Sequence, residues 1–285
     1  MEQVAGWSAL EVANVNGRSV LITCKNLQPL KILNPRAPAG SCHVVLSSYG
    51  GGLVSGDVIR LAIHGGAGSR LFVGSQSNTK VFKAVGEAAA EQHTRGTLAA
   101  GALAVVFPDP VVPQAGSRYR QVQHWQLEPG ALLLLTDWFH SGRTDSGEQY
   151  QFTSFHSELR VHLADRLVLL DRFDFRPQEH IAASPANFGS HHTFFSLYLV
   201  GSPDDARFNT LAAALLRLKL PEADALHYTL ADKPAVVTVA KVRDGVYVVR
   251  AAAHRRADLE PLCALVLEAL AAPELLGYNP WKRKF

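Results

Sequence analysis

A recurrence limits what this chain can fold into more than any other feature. A strand, a turn carrying Gly-Ala and a second apolar strand return at Gly66-Ala67 before residues 71–73, at Gly101-Ala102 before 103–107 and at Gly130-Ala131 before 132–135. A looser copy follows at Ala164-Asp165 before 167–170, and the successive intervals are 35, 29 and 34 residues. Self-similarity of this length arises when one unit cannot bury its apolar face alone and stacks on its neighbours. A β-sandwich of successive hairpins produces the same spacing. The recurrence therefore implies a mostly β chain and leaves those two arrangements open.

The remaining segments fit around that core. Residues 1–46 read as a β-meander in which 7–13 and 19–23 flank Asn16-Gly17, a pair suited to a tight hairpin. Residues 47–180 form the stacked β core, and 181–285 a mixed α/β part of the same single domain. In that last part Ser202 is the expected N-cap with Pro203 at the first helical position and Asp204 and Asp205 in the first turn, and Phe208, Leu211, Ala212, Leu215 and Leu218 make one apolar stripe. Two strands at 235–242 and 246–252 meet at Asp244-Gly245, and Asp258 is expected to cap a second helix running to Leu270. The last residues, from Pro280, read as a basic tail in solvent.

The stretch 47–83 is unusually rich in glycine, which invites a phosphate-binding interpretation. Gly51 and Gly56 have P-loop spacing, but Asp57 and Val58 stand where Lys and Ser or Thr are required. An acid at the lysine position repels a nucleotide. A dinucleotide fingerprint fails because Gly50 and Gly52 lead into a strand, where a helix is needed. In 58–64, Ile59, Leu61 and Ile63 alternate with polar or small residues, so the odd-numbered face is buried. The polar run from Ser75 through Gln76, Ser77, Asn78, Thr79 and Lys80 is unusual beside such strands. Residues 118–127 alternate too, and the face carrying Tyr119, Gln121, Gln123, Trp125 and Leu127 is half polar. A second turn-and-charge group holds Asp137, Trp138, Ser141, Gly142, Arg143 and Glu148, in which Arg143 and Glu148 suit either a loop-fixing ion pair or a partner contact.

Composition narrows the class of function. The balance of 28 Lys and Arg against 25 Asp and Glu is spread along the sequence, without the concentrated basic footprint of a nucleic-acid binder. Cys24, Cys42 and Cys263 suit reduced thiols better than a disulfide framework. No leader pattern and no apolar run of about 18 residues is present, so a soluble, cytoplasmic protein without membrane contact is expected. No nucleophile elbow, zincin helix, C-x-x-C pair or EF-hand loop occurs, and His191-His192 is the only adjacent pair among twelve scattered histidines. Asp165, Asp171 and Asp174 bracket one strand, and carboxylates at strand ends support an alternative function as a carbohydrate-active β-solenoid enzyme.

The wording of several segments is more specific. Tyr49-Gly-Gly-Gly-Leu-Val-Ser-Gly-Asp57 followed by Gln76-Ser-Asn-Thr-Lys-Val-Phe82 resembles the urease accessory protein family UreD, also called UreH. Phe107-Pro-Asp-Pro110, Asp137-Trp138, Ser141-Gly-Arg143 and Ser146-Gly-Glu148 follow in that family's order. Ser48-Tyr49 and Ser75 depart from its usual pattern. The resemblance implies a stacked two-sheet helicoidal, solenoid-like fold with two helices in the C-terminal part. It further implies a non-enzymatic scaffold that binds apo-urease and, with a UreF-type protein and a UreG-type GTPase, delivers nickel to the urease active site. No cofactor is expected to be held tightly; nickel is in transit, through an internal polar tunnel. On that basis Asp57, Asp137, Glu148 and Asp171 are the candidate weak metal contacts, and Gln76, Ser77, Thr79, Lys80 and Arg143 the candidate tunnel or partner-binding residues. A pure interaction module without metal transit is the third possibility.

Overall fold

The computed structural model describes residues 5–182, 184, 187–218 and 233–283. Its strands are β1 (Ser8–Val15), β2 (Arg18–Lys25), β3 (Leu30–Leu33), β4 (Cys42–Ser48), β5 (Val58–Gly65), β6 (Arg70–Ser75), β7 (Thr79–Val81), β8 (Ala90–Leu98) and β9 (Leu103–Phe107). They continue as β10 (Val111–Pro113), β11 (Arg118–Leu127), β12 (Leu132–His140), β13 (Ser154–Leu163), β14 (Arg166–Phe175), β15 (Thr193–Val200), β16 (Ala235–Arg243) and β17 (Val246–Ala253). Helix α1 (Ala206–Leu216) precedes β16, and α2 (Glu260–Ala269) follows β17.

The strands build two sheets. The first has the order β14-β13-β11-β8-β5-β1-β2, and the second β16-β17-β15-β12-β9-β6-β4-β3, with β7 and β10 paired beside it. Within the first sheet β1, β5, β8, β11 and β13 are parallel, as are β4, β6, β9 and β12 in the second. The chain thus alternates between sheets, β5 to β6, β8 to β9 and β11 to β12, in a solenoid of about four turns. Of the two arrangements left open by the spacing, the stacked one is adopted.

Three layers result. One core lies between the sheets, around Leu10, Ile63, Val73, Leu98, Trp125 and Leu133. A second lies between the far side of the second sheet and the helices, where Phe208, Leu211 and Leu215 of α1 and Leu262, Val266 and Leu267 of α2 meet Leu132, Leu134 and Leu197. Burial of the second sheet on both faces explains why β9 and β12 begin as unbroken apolar runs, Leu-Ala-Val-Val-Phe and Leu-Leu-Leu-Leu, instead of alternating.

The repeat register differs from the sequence alignment at its first copy. Ser69, Ala102 and Ala131 are the fully buried equivalents, because Leu103 N–H donates to the Ser69 carbonyl and Leu132 N–H to that of Ala102. Gly68, not Gly66, is therefore stacked with Gly101 and Gly130, and all three have positive φ. Arg207 at the start of α1 seals this column, donating to the carbonyls of Gly101 (2.8 Å) and Gly130 (2.9 Å) while paired with Asp205 at 2.7 Å. The fourth copy is not a rung. Ala164 and Asp165 both take positive φ and close a hairpin that sends β14 back antiparallel along β13 in the same sheet.

Four further expectations are corrected. The N-terminal strands do not form a meander of their own: hairpin β1–β2 joins the first sheet and hairpin β3–β4 the second, since both Leu10 and Ile32 must reach the inter-sheet core. Helix α1 begins after Asp205, whose carboxylate accepts from Arg207 N–H, while Ser202 Oγ accepts from Asp204 N–H in the preceding turn. Asp258 accepts from Arg255 N–H in a short 3-10 turn that precedes α2, so it does not cap the helix itself. Pro280 is buried and Trp281 packs against the helical core, so that part of the tail is docked; Lys284 and Phe285 lie outside the described residues. No disulfide joins the three cysteines, and no helix among the described residues is long and apolar enough to cross a membrane.

Stacking makes one glycine indispensable. Trp125 on β11 lies in register with Gly96 on β8, and a methyl group at 96 would come within 2.0 Å of the indole Cε3. Gly96→Ala should therefore lower the free energy of unfolding in urea by about 2–3 kcal/mol. The same substitution should cost much less in a Trp125→Leu background, and equal costs in both backgrounds would show that the indole is not what excludes the methyl.

Candidate functional site

The inter-sheet core should be apolar throughout, and in three rows it is not. Alternation along β8, β11 and β13 points every second side chain inward, and parallel register places Gln92, Gln121 and Ser157 side by side across three strands. The next inward row holds Thr94 and Gln123 and ends, past Leu159, at Asp171 of β14. On the facing sheet, Asp137 of β12, Ser196 of β15, Arg250 of β17 and Thr238 of β16 form a third row by the same logic. Each polar residue sits where a stacked neighbour or the opposite sheet can answer it.

Hydrogen bonds join the rows across the gap. Gln121 Nε2 donates to Asp137 Oδ1 (2.6 Å) and to Ser157 Oγ (2.9 Å), and Ser157 Oγ donates to Asp137 Oδ2. Tyr119 Oη lies between the amide oxygens of Gln92 and Gln121, 3.0 Å from the latter. Farther along, Tyr198 Oη donates to Asp171 Oδ2, while Arg250 donates to Asp171 Oδ1 (2.7 Å), to Tyr198 Oη (3.1 Å) and to Ser196 Oγ. The network satisfies groups whose burial would otherwise be costly.

Two cavities flank it. One, of about 120 Å³, is lined by Ser75, Ser77, Thr79, Gln92, Thr94 and Gln121 among apolar neighbours, and has room for several waters. The other, of about 480 Å³, is bordered by Asp137, Ser157, Asp171, Ser196, Tyr198 and Arg250 and by a wall of phenylalanines including Phe139, Phe155 and Phe194. The Gln121–Asp137–Ser157 bonds stand between them.

Electrostatics follow from this enclosure. Burial raises the carboxyl pKa of Asp137, and Asp171 nearby adds to the rise, against the opposing hydrogen bonds from Ser157 and Gln121 and the charge of Arg250. Burial first and then the Asp137 charge keep the phenols of Tyr119 and Tyr198 well above their ordinary range, so both remain donors.

Of the residues singled out from sequence, Asp137 and Asp171 meet in this network, and Ser77 and Thr79 line the smaller cavity. Asp57 lies elsewhere, its carboxylate accepting from Val54 N–H (2.8 Å) to close a turn. Glu148 is buried and binds Arg143 through Nε (3.0 Å) and Nη2 (2.6 Å) as well as Ala115 N–H (2.8 Å), fixing the loop that begins at Gly142. Gln76 borders a third cavity of about 140 Å³ under Trp281, and Lys80 is exposed while its carbonyl accepts from Leu53 N–H. Asp171 and Asp174 face opposite sides of the first sheet, so they do not pair across a groove. His191 packs its ring 4.9 Å from that of His254, and no group of three or more His, Cys, Asp or Glu among the described residues is arranged to hold a metal ion.

Sequence reasoning missed Tyr198, Arg250 and Gln92. A lone arginine inside the apolar strand Val-Tyr-Val-Val-Arg-Ala-Ala-Ala was the available signal for Arg250. It also missed the buried Asp109, which pairs with Arg256 (2.9 Å) and accepts from Ser75 Oγ (2.9 Å), while Arg256 also donates to Asn78 (3.0 Å). That group fastens the polar run to the segment before α2.

Comparison with known proteins converges on one description. Residues 5–284 match the family profile described as UreD urease accessory protein. The chain is 32% identical over 279 residues to urease accessory protein UreD of Cytophaga hutchinsonii, covering 96% of each chain. It is 33% identical over 283 residues to the protein of that name from Sorangium cellulosum, covering 99% of this chain and 85% of the other. Urease accessory protein D of Arabidopsis thaliana is 41% identical over 158 residues, 54% of each chain.

The raised carboxyl of Asp137 has a signature in stability. The folded protein holds this proton to higher pH than the unfolded chain, so stability should fall as pH rises from the ordinary carboxylate range through the folded-state pKa. Asp137→Asn keeps the shape and removes the titration, so urea unfolding at a series of pH values should give a flatter curve over that window. A curve unchanged by the substitution would assign the titration to another group.

Proposed function

We propose a nickel-transit role in urease maturation for this chain, which belongs to the UreD urease accessory protein family. It acts as a non-enzymatic scaffold that binds apo-urease together with UreF-type and UreG-type partners, the last supplying GTP hydrolysis, and nickel passes as cargo between the two sheets. The observation that carries this proposal is the pair of facing polar rows, Gln92-Gln121-Ser157 and Asp137-Ser196-Arg250, inside an otherwise apolar core.

Chemistry favours release over storage along such rows. Carboxylates, hydroxyls and amides separated by water bind a divalent ion weakly enough to let it leave, in contrast to a closed four-ligand cage. Ser77 and Thr79 border the smaller cavity, and Asp137 with Asp171 supply carboxyl oxygens in the larger one. A dication reaching Asp137 favours loss of its proton, and one reaching Asp171 must displace the guanidinium of Arg250. The bonds of Gln121 and Ser157 to Asp137 act as an inner gate, and the Arg250–Asp171 pair as an outer one. Asp57 and Glu148 serve at a distance by fixing loops, and Gln76, Lys80 and Arg143 offer exposed groups to partners.

Reconstitution tests this directly. Apo-urease with its UreF-type and UreG-type partners should gain nickel-dependent activity, and co-purify as a complex, only when this chain is present. Asp137→Ala with Asp171→Ala should slow activation by about tenfold or more, a barrier increase of about 1.4 kcal/mol, while complex formation persists. Asp57→Ala should leave the rate unchanged. Full activation without the chain would sink the maturation role, and an unchanged rate in the double variant would remove the path between the sheets.

A further inference from the structure

The outer face of the first sheet takes no part in the path between the sheets, and it concentrates charge that the linear sequence disperses. Where Ile59 and Leu61 point inward, Arg60 points out from β5, and the same alternation brings out Arg95 on β8, Arg120 on β11, Arg160 on β13 and Arg172 on β14. Each of five adjacent strands thus presents a guanidinium, and at about 4.8 Å per strand they span about 19 Å.

Two carboxylates on this face, Glu91 and Glu158, are already matched, while Asp174 on β14 also faces outward. Glu91 lies 2.7 Å from His93 Nε2 and 3.9 Å from Arg120. Glu158 lies 2.6 Å from Arg160 Nε and 2.8 Å from Arg172 Nε. Arg60 and Arg95 add positive charge beyond these groupings, and Arg95 is held in place over the Trp7 ring at 4.5 Å. His124 stands in register between Arg95 and Arg160, and burial followed by the charge of Arg160 and Arg95 lowers its pKa against the opposing Glu158, a local sign of positive potential.

We propose that this face docks an acidic surface of a protein partner, which, resting on the maturation role above, is a member of the urease-activating complex. A nucleic acid fits less well. Glu91, Glu158 and Asp174 sit among the arginines, where a continuous phosphate backbone would meet them, whereas a folded partner can place its own bases opposite.

The test uses Arg60→Glu with Arg95→Glu, two exposed arginines outside the Glu91 and Glu158 groupings, and Lys31→Glu on the other sheet as control. Thermal melting establishes that each variant is folded. Binding of the full-length chain to cognate apo-urease, UreF-type and UreG-type proteins is then measured singly by interferometry at low and high salt. One partner should lose about tenfold or more in affinity with the double variant, and its wild-type affinity should fall with salt, while the control is unchanged. Equal binding of wild type and double variant to every partner overturns the docking surface and leaves the maturation role standing. No binding of the wild type to any partner sinks both. Loss of retention on duplex DNA with unaltered partner binding assigns the face to a polyanion and also overturns the proposal.

Discussion

In-register stacking of parallel strands governs this molecule. Once β5, β8, β11 and β13 share one register, each inward side chain lies about 4.8 Å from its equivalents on the neighbouring turns, and its chemistry cannot be chosen independently. Apolar columns follow, such as the one through Ile63 and Val161, where Gly96 yields its volume to Trp125. Polar columns follow as well. Gln121 is tolerable in the core because Ser157 lies beside it and Asp137 faces it from the other sheet.

That dependence explains how much was legible from the amino-acid order. The recurrence of turn and apolar strand was visible because each rung repeats it, and the hairpin at Asn16-Gly17 because its turn demands positive φ at both positions. The half-polar face of 118–127 was visible as alternation. The partners of that face were not. Asp137 belongs to the opposite sheet, and Arg250 lies 79 residues from the Asp171 it binds, so their meeting depends on sheet spacing and on the antiparallel strands that close the stack. Misalignment of the first repeat had a related cause: Gly66, Ala67 and Gly68 satisfy the same local pattern, and only the hydrogen bond from Leu103 to Ser69 decides among them.

The split between the two faces of the first sheet shows how a weakly basic composition can hide a local excess of positive charge. Arginines that are scattered along the chain fall on one side because strand periodicity sorts them, while the inward positions of the same strands carry the polar rows. Guanidinium groups outside and mainly amide and hydroxyl groups inside, with Asp171 at the end of one row, are thus separated by a single layer of backbone.

The arginine that spans the turn column bears on how the protein comes apart. Solenoids commonly fray one repeat at a time, since each turn touches only its neighbours. Here Arg207, more than a hundred residues from Gly101, holds the carbonyls of two successive turns and is itself held by Asp205 at the head of α1. Opening either turn breaks the helix start, and melting the helix releases both turns. Arg207 thereby couples backbone groups of α1 to those of the rungs at Gly101 and Gly130, so local opening at any of the three is expected to loosen the others.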